Sequence, residues 1–146
     1  MEIERKFLIN KIPFDLTNVP FRQIEQAYLN TAPVVRIRQD NDKYYLTYKS
    51  KGFLEREEYN LYLDSNSYLH LREKADGIII TKKRYEIPYE EYTIEFDIFE
   101  GRHTGLMLAE VEFSSKEEAE NFTPPDWFGE DVTFSSKYCN STLSKY

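Results

Sequence analysis

After its first methionine the chain reads Glu2-Ile3-Glu4-Arg5-Lys6-Phe7. In a β-strand, Glu2, Glu4 and Lys6 share one face, while Ile3, Arg5 and Phe7 take the other. A strand ordinarily turns such charges to water. Here the pattern recurs: Arg36 with Arg38, Arg56 with Glu58, Lys82 with Arg84, Glu95 with Asp97, Glu110 with Glu112, and Lys49 on one face with Thr47 and Tyr45. Seven bases and seven acids thus fall on strand faces. The reverse faces offer Ile3, Phe7, Leu29, Ile37, Leu46, Ile79, Ile94, Phe96, Val111 and Phe113 as outer packing. If the charged faces converge, the sheet closes around a wet, charged channel and loses its edges.

The 146 residues suit one domain, and no repeat, linker or low-complexity stretch divides them. Twelve tyrosines and ten phenylalanines favour β structure. A formal charge of −7 argues against nucleic acid and anionic membranes as partners. No apolar run reaches the ~18 residues of a membrane helix, and the N-terminus has no signal-like hydrophobic region. One cysteine and two histidines are too few for a structural zinc site, so a cytoplasmic protein is expected.

In order, strands are expected over residues 2–9, 26–29, 34–38, 44–49, 56–61, 78–86, 92–99 and 106–113, with turns at Asp40-Asn41-Asp42 and Asp76-Gly77. Pro13 and Pro20 leave room for at most a helical turn between Lys11 and Arg22. Helices are expected over 65–74, capped by Ser65 or Ser67, over 116–122 behind a Ser-x-x-Glu capping box, and over 135–146. Trp127 and Phe128 are expected outside the barrel or over its end. His70, Arg72 and His103 read as surface residues, and Cys139 as no nucleophile. The fold class is therefore all-β with short peripheral helices, one antiparallel domain of about eight strands: a closed antiparallel β-barrel forming a charged tunnel if the charged faces point inward, or a sandwich with its core on the reverse faces if they point outward.

A polyphosphate best explains bases and acids mixed in one enclosure. Arginine offers a planar fork to phosphoryl oxygens and lysine a compact charge. Carboxylates would repel the same ligand unless divalent cations lay between them, and Mg²⁺ or Mn²⁺ takes oxygen ligands. Glu2, Glu4, Glu110 and Glu112 are the candidate metal ligands, with Glu95 and Asp97 nearby or positioning water.

EIERK at the N-terminus, RIR at 36–38, LTYK ending at Lys49, Arg56 with Glu58, KKRY at 82–85, EFD at 95–97 and AEVEF at 109–113 together resemble the CYTH family of triphosphate tunnel metalloenzymes. Tyr28, Trp127, Tyr138 and Asn140 also resemble its short bacterial members. The resemblance spans the whole chain, 1–146, and implies an eight-stranded tunnel with metal-dependent triphosphate chemistry. It implies Lys6, Arg36, Arg38, Lys49, Arg56, Lys82 and Arg84 as substrate-binding residues. Lys6, Glu58, Glu95 and Asp97 form the candidate catalytic group, with no general base singled out. Asn60 departs from the pattern, standing where many members have glutamate. The activity implied is hydrolysis of inorganic tripolyphosphate to pyrophosphate and orthophosphate with Mg²⁺ or Mn²⁺. The alternatives are a class IV adenylyl cyclase and a noncatalytic polyphosphate-binding module. The expected partners are an inorganic or organic triphosphate and, from the resemblance, a second copy in a homodimer.

Overall fold

Nine strands, all paired antiparallel, form one sheet in the computed structural model, which describes residues 1–145. In chain order they are β1 (Glu2–Leu8), β2 (Phe21–Thr31), β3 (Val34–Asp40), β4 (Lys43–Lys49), β5 (Glu55–Arg56), β6 (Glu58–Leu63), β7 (Asp76–Tyr89), β8 (Tyr92–Glu100) and β9 (Met107–Glu112). Helices α1 (Ser65–Arg72) and α2 (Lys116–Asn121) pack outside the sheet, and α3 (Asn140–Leu143) is a single short turn near the C-terminus. No helix among the described residues is long and apolar enough to cross a membrane.

The strand order β5-β1-β9-β8-β7-β2-β3-β4-β6 corrects the expected closed eight-stranded barrel. The sheet curls almost fully around, yet its end strands do not bond to one another. The cause is a break at Glu57. Just before it, Arg56 pairs with Glu2 of β1; just after it, Glu58 pairs with Lys49 of β4. One continuous stretch of chain thus joins the two ends of the sheet. Glu57 itself is held by Ser50, whose N–H donates to the Glu57 carbonyl at 3.0 Å and whose Oγ accepts from the Glu57 N–H at 2.9 Å. Beyond Glu57 no β1 residue lies opposite β6, so the seam stays unsealed there.

The outer faces bury apolar side chains under the helices. Phe7, Ile94, Phe96, Val111 and Phe113 pack with Ala119 and Phe122 of α2 and its neighbourhood, and Trp127 and Phe128 join them outside the sheet. Ala27 and Ile37 are covered by Tyr68 of α1. Burial on this scale is the main source of folding free energy, at roughly 25 cal/mol per Å². Ile79 departs from the expected outer packing: 42% of it is exposed, because neither helix reaches that part of β7. Helix α1 is capped not by a serine but by Asp64, whose Oδ1 accepts from the Ser67 N–H at 2.7 Å. Ser115 caps α2 as its capping-box spacing predicts, accepting from the Glu118 N–H at 3.1 Å.

A third cluster lies on the inner face. Tyr28, Ile80, Phe99 and Leu108 meet Val132 and Leu143 from the C-terminal segment and close one end of the channel with apolar side chains. That segment is not the long helix expected over 135–146. It is a 3₁₀ turn over Ser136–Tyr138 followed by α3, with Tyr146 of the expected helix outside the described residues. Its docking depends on Gly77. At φ +71° a Cβ there would collide with the Ser144 carbonyl oxygen, and that carbonyl accepts the Ile78 N–H at 2.6 Å.

Candidate active site

The channel is a polar cavity of about 240 Å³. Twelve of the fourteen charged residues named above line it: Glu2, Glu4, Lys6, Arg36, Arg38, Lys49, Arg56, Glu58, Arg84, Glu95, Glu110 and Glu112. The other two, Lys82 and Asp97, have the expected inward parity but lie beneath the wall, each 0% exposed. They pair at 2.8 Å, and Asp97 also takes both sides of the Arg84 guanidinium at 2.7 and 2.8 Å. Lys82 and Asp97 thus form a buried base that fixes how Arg84 enters the cavity.

Charge is unevenly compensated across the cavity. On β3, the Arg36 guanidinium donates to Thr47 Oγ1 at 3.2 Å, while its buried Nε has no partner. Arg38 donates only to Gln26 Oε1, at 2.9 and 2.6 Å. Among the described residues neither arginine has a carboxylate within 4.0 Å. Burial, together with Arg36 and Arg84, pulls the Arg38 guanidinium down from its ordinary value.

Opposite β3, on β1 and β9, the excess is acidic. Burial, with Glu110 and Glu2 close by, pushes Glu4 up to about 8. Glu112 is also raised, by burial and by Glu2 and Glu58. Glu110 differs: burial favours its neutral form, but Lys6, Arg84 and Lys82 outweigh this and hold it well below the carboxylate range. Lys6 is correspondingly raised, because Glu110 and Glu4 overcome its burial, so it remains an ammonium.

Near the seam, Lys49 bridges Glu2 at 3.0 Å and Glu58 at 3.2 Å, and Arg56 reaches Glu2 at 3.3 Å. Burial raises Glu2 against the pull of Lys49. Glu58 goes the other way, since Lys49 and hydrogen bonds from Glu2 and Asn60 outweigh burial and hold it down to about 2. Asn60 completes a chain of donors: Arg36 to Thr47, Thr47 to Asn60 Oδ1 at 2.6 Å, and Asn60 Nδ2 to Glu58 Oε1 at 3.3 Å.

The expected metal ligands do not form a ready-made cage, and no group of three or more His, Cys, Asp or Glu converges on a metal position among the described residues. Glu2 is turned toward Lys49 and Arg56, and Glu110 lies nearest Lys6 and Arg84. The donor chemistry nevertheless suits a hard divalent cation, because Glu4 and Glu112 carry more acid than neighbouring bases neutralise.

Several site residues have no counterpart among the expected ones. Arg22 lines the mouth, pairing with Asp40 at 2.7 Å, Glu86 at 3.0 Å and Glu95 at 3.6 Å. Its inward parity with Gln26 and Tyr28 was available, but the Pro13–Pro20 region hides the start of β2. Cys139, Asn140 and Ser141 enter from the C-terminal segment. The Tyr138 carbonyl accepts from Lys6 Nζ at 3.2 Å, and Asn140 Oδ1 from Lys82 Nζ at 3.5 Å. His103 is half-buried rather than exposed, with Nε2 2.8 Å from the Leu143 carbonyl. Arg72, also expected at the surface, pairs with Glu25 at 2.9 Å.

An almost closed antiparallel sheet, with unpaired guanidiniums on one wall and crowded carboxylates on the other, defines a mostly-β domain built to enclose a polyanion. The chain belongs to the CYTH family, whose domain model matches residues 1–146. It is 40% identical over 149 residues to the inorganic triphosphatase of Nitrosomonas europaea, covering 98% of this chain and 96% of that one. It is 36% identical over 151 residues to the inorganic triphosphatase of Acetivibrio thermocellus, covering 99% and 93%. Among solved structures, the inorganic triphosphatase NE1496 superposes with a TM-score of 0.73 at 35% identity, covering 100% of this chain and 95% of that one.

Proposed function

We propose that the protein is an inorganic triphosphatase that hydrolyses tripolyphosphate to pyrophosphate and orthophosphate. The observation that carries this reading is the pair of guanidiniums on β3, Arg36 buried and Arg38 half-buried, facing the cavity with no counter-ion among the described residues. Such an arrangement is costly unless an anion completes it. Two curated relatives bearing the name inorganic triphosphatase, each matched over more than nine-tenths of its length, support the choice of anion.

Lys6, Arg36, Arg38, Lys49, Arg56 and Arg84 hold the phosphate oxygens, and Lys82 acts from behind the wall through Asp97 on Arg84. Binding is an exchange of partners. As phosphate takes over Lys6, Lys49, Arg56 and Arg84, the Glu2 and Glu110 carboxylates lose their cations and become free, with Glu4 and Glu112, to hold Mg²⁺ or Mn²⁺. A cation held there supplies neutralisation of phosphate oxygens and an acidified water. Lys6 serves as a fixed ammonium donor to oxygen charge that grows in the transition state, not as a base. Glu58, kept ionised by Lys49, and Glu95 at the mouth orient water. Asp97 contributes by holding Arg84 and Lys82.

The test is to incubate the untagged chain with tripolyphosphate or ATP, with Mg²⁺ or Mn²⁺, and resolve every product. One pyrophosphate and one orthophosphate per tripolyphosphate are expected, and Arg36→Ala should lose about 10²-fold or more in kcat/KM. Cyclic AMP plus pyrophosphate from ATP would make the protein a cyclase instead. Tight metal-dependent binding without turnover would make it a polyphosphate-binding module.

A further inference from the structure

A second cavity lies on the far side of the segment that closes the channel. It measures about 710 Å³, within the size range of small-molecule sites. Arg102, His103 and Leu106 border it from the loop after β8, and Lys137, Tyr138 and Leu143 from the C-terminal segment. Its hydrocarbon surface comes chiefly from the two leucines and the tyrosine ring. Arg102 and Lys137 are exposed, and among the described residues neither has a carboxylate within 4.0 Å. In a chain of net charge −7, two uncompensated cations beside an apolar hollow are a local reversal of sign. A small amphipathic anion, with a planar or branched hydrocarbon body and one acidic group, matches both features.

The wall between the two cavities is thin and shared. Tyr138 faces the outer cavity while its carbonyl accepts from Lys6 Nζ at 3.2 Å. Asn140, on the channel side, accepts from Lys82 Nζ at 3.5 Å. Leu143 borders the outer cavity, packs in the cluster that closes the channel, and gives its carbonyl to His103 at 2.8 Å. A molecule seated in the outer cavity therefore touches the segment that holds Lys6 of the channel and Lys82 beneath its wall. We infer that this cavity is an effector site for a small amphipathic anion, read by the channel through Ser136–Leu143. The coupling, though not the cavity, rests on the reading of the channel as a tripolyphosphate site.

The probe is 8-anilinonaphthalene-1-sulfonate, an aromatic anion whose fluorescence rises in apolar surroundings, titrated into the full chain. One molecule is expected to bind per chain. Saturating tripolyphosphate with Mg²⁺ should change its Kd at least twofold without displacing it, and the probe should change the tripolyphosphate Kd by the same factor, as linkage demands. The double variant Arg102→Glu with Lys137→Glu should weaken the probe at least tenfold and leave tripolyphosphate affinity within twofold. Absence of probe binding, competitive displacement by tripolyphosphate, or full binding by the charge-reversed variant would overturn the site. Binding with no mutual effect would overturn the coupling. Calorimetric binding of tripolyphosphate reads that coupling even if the wild-type chain turns nothing over. If tripolyphosphate does not bind at all, the coupling falls with the proposed function, while the charge-reversed variant still decides the cavity.

Discussion

Glu4 sits where two demands conflict: its carboxyl is buried against the cavity, yet a divalent cation would need it ionised. Raised to about 8, against an ordinary 4.5, it holds a proton at neutral pH in the folded chain that the unfolded chain has already lost. Its contribution to stability is therefore fully present below pH 4.5 and is lost as pH rises through about 8. Urea melts at pH 5.5, 7 and 8.5 are expected to show this decline, and Glu4→Gln to flatten it. Mg²⁺ should likewise restore stability at the alkaline end and release protons on binding, measurable by calorimetry in buffers of different ionisation enthalpy. Asn60 makes the complementary case. It gives Glu58 a donor where many family members have glutamate, so the β6 side of the cavity carries one acid fewer. Asn60→Glu is expected to tighten Mn²⁺ or Mg²⁺ binding by about tenfold, roughly the 1.4 kcal/mol that a hydrogen-bonded charge contributes. An unchanged or weaker affinity would mean that Glu58 and the added carboxylate repel one another more than they share a cation.

At the scale of elements, what was legible in the sequence follows from the two-residue period of strands. Glu2 to Lys6, Glu95 with Asp97 and Glu110 with Glu112 are read inward correctly because each pair shares parity on an uninterrupted strand. Where the period gives out, the strands carry no such signal. Ile24 stands inward between Arg22 and Gln26, so the early part of β2 shows no charged alternation. Glu57 separates β5 from β6 without any glycine or proline to mark it. Parity also says which way a side chain points, not how deep it lies: Lys82 and Arg84 alternate identically, yet only Arg84 reaches the cavity. The C-terminal segment was the least legible element, since its two short turns have no period and its place depends on a contact with Gly77, far away in sequence. That contact carries its own prediction. Gly77→Ala places a methyl group against the Ser144 carbonyl at a positive φ and is expected to cost about 1–3 kcal/mol. Hydrogen exchange should then show lost protection at Ile78 and across residues 136–145, while the amides of β8 and β9 stay protected. Uniform loss across the sheet would mean that the segment and the barrel unfold as one unit.

For the molecule as a whole, the interior that makes the site is a source of instability without its ligand. A protein of this size ordinarily gains its stability from an apolar centre, but here two of the three apolar clusters lie outside the sheet and much of the centre holds charge. Arg36 is buried with the half-buried Arg38 beside it, and one Arg36 nitrogen has no partner among the described residues. Replacing such a charge by an apolar side chain of similar length removes both the repulsion and the unmet hydrogen bond, a change that often stabilises by about 1–4 kcal/mol. Arg36→Met keeps the volume, and Thr47 keeps its bond to Asn60. In buffer free of phosphate and divalent cations, the variant is expected to melt about 2–4 °C above the wild type, equivalent to about 1 kcal/mol for a chain of this length. With Mg²⁺ and tripolyphosphate at about a hundred times Kd, the order should reverse. The wild type should gain about 2.7 kcal/mol, or about 5–10 °C, whereas the variant gains little because it has lost the group that the ligand neutralises. A variant less stable than the wild type in both conditions would show that Arg36 supports the fold through contacts of its own, so that the cost of holding the two guanidiniums together is met by the protein and not by the anion.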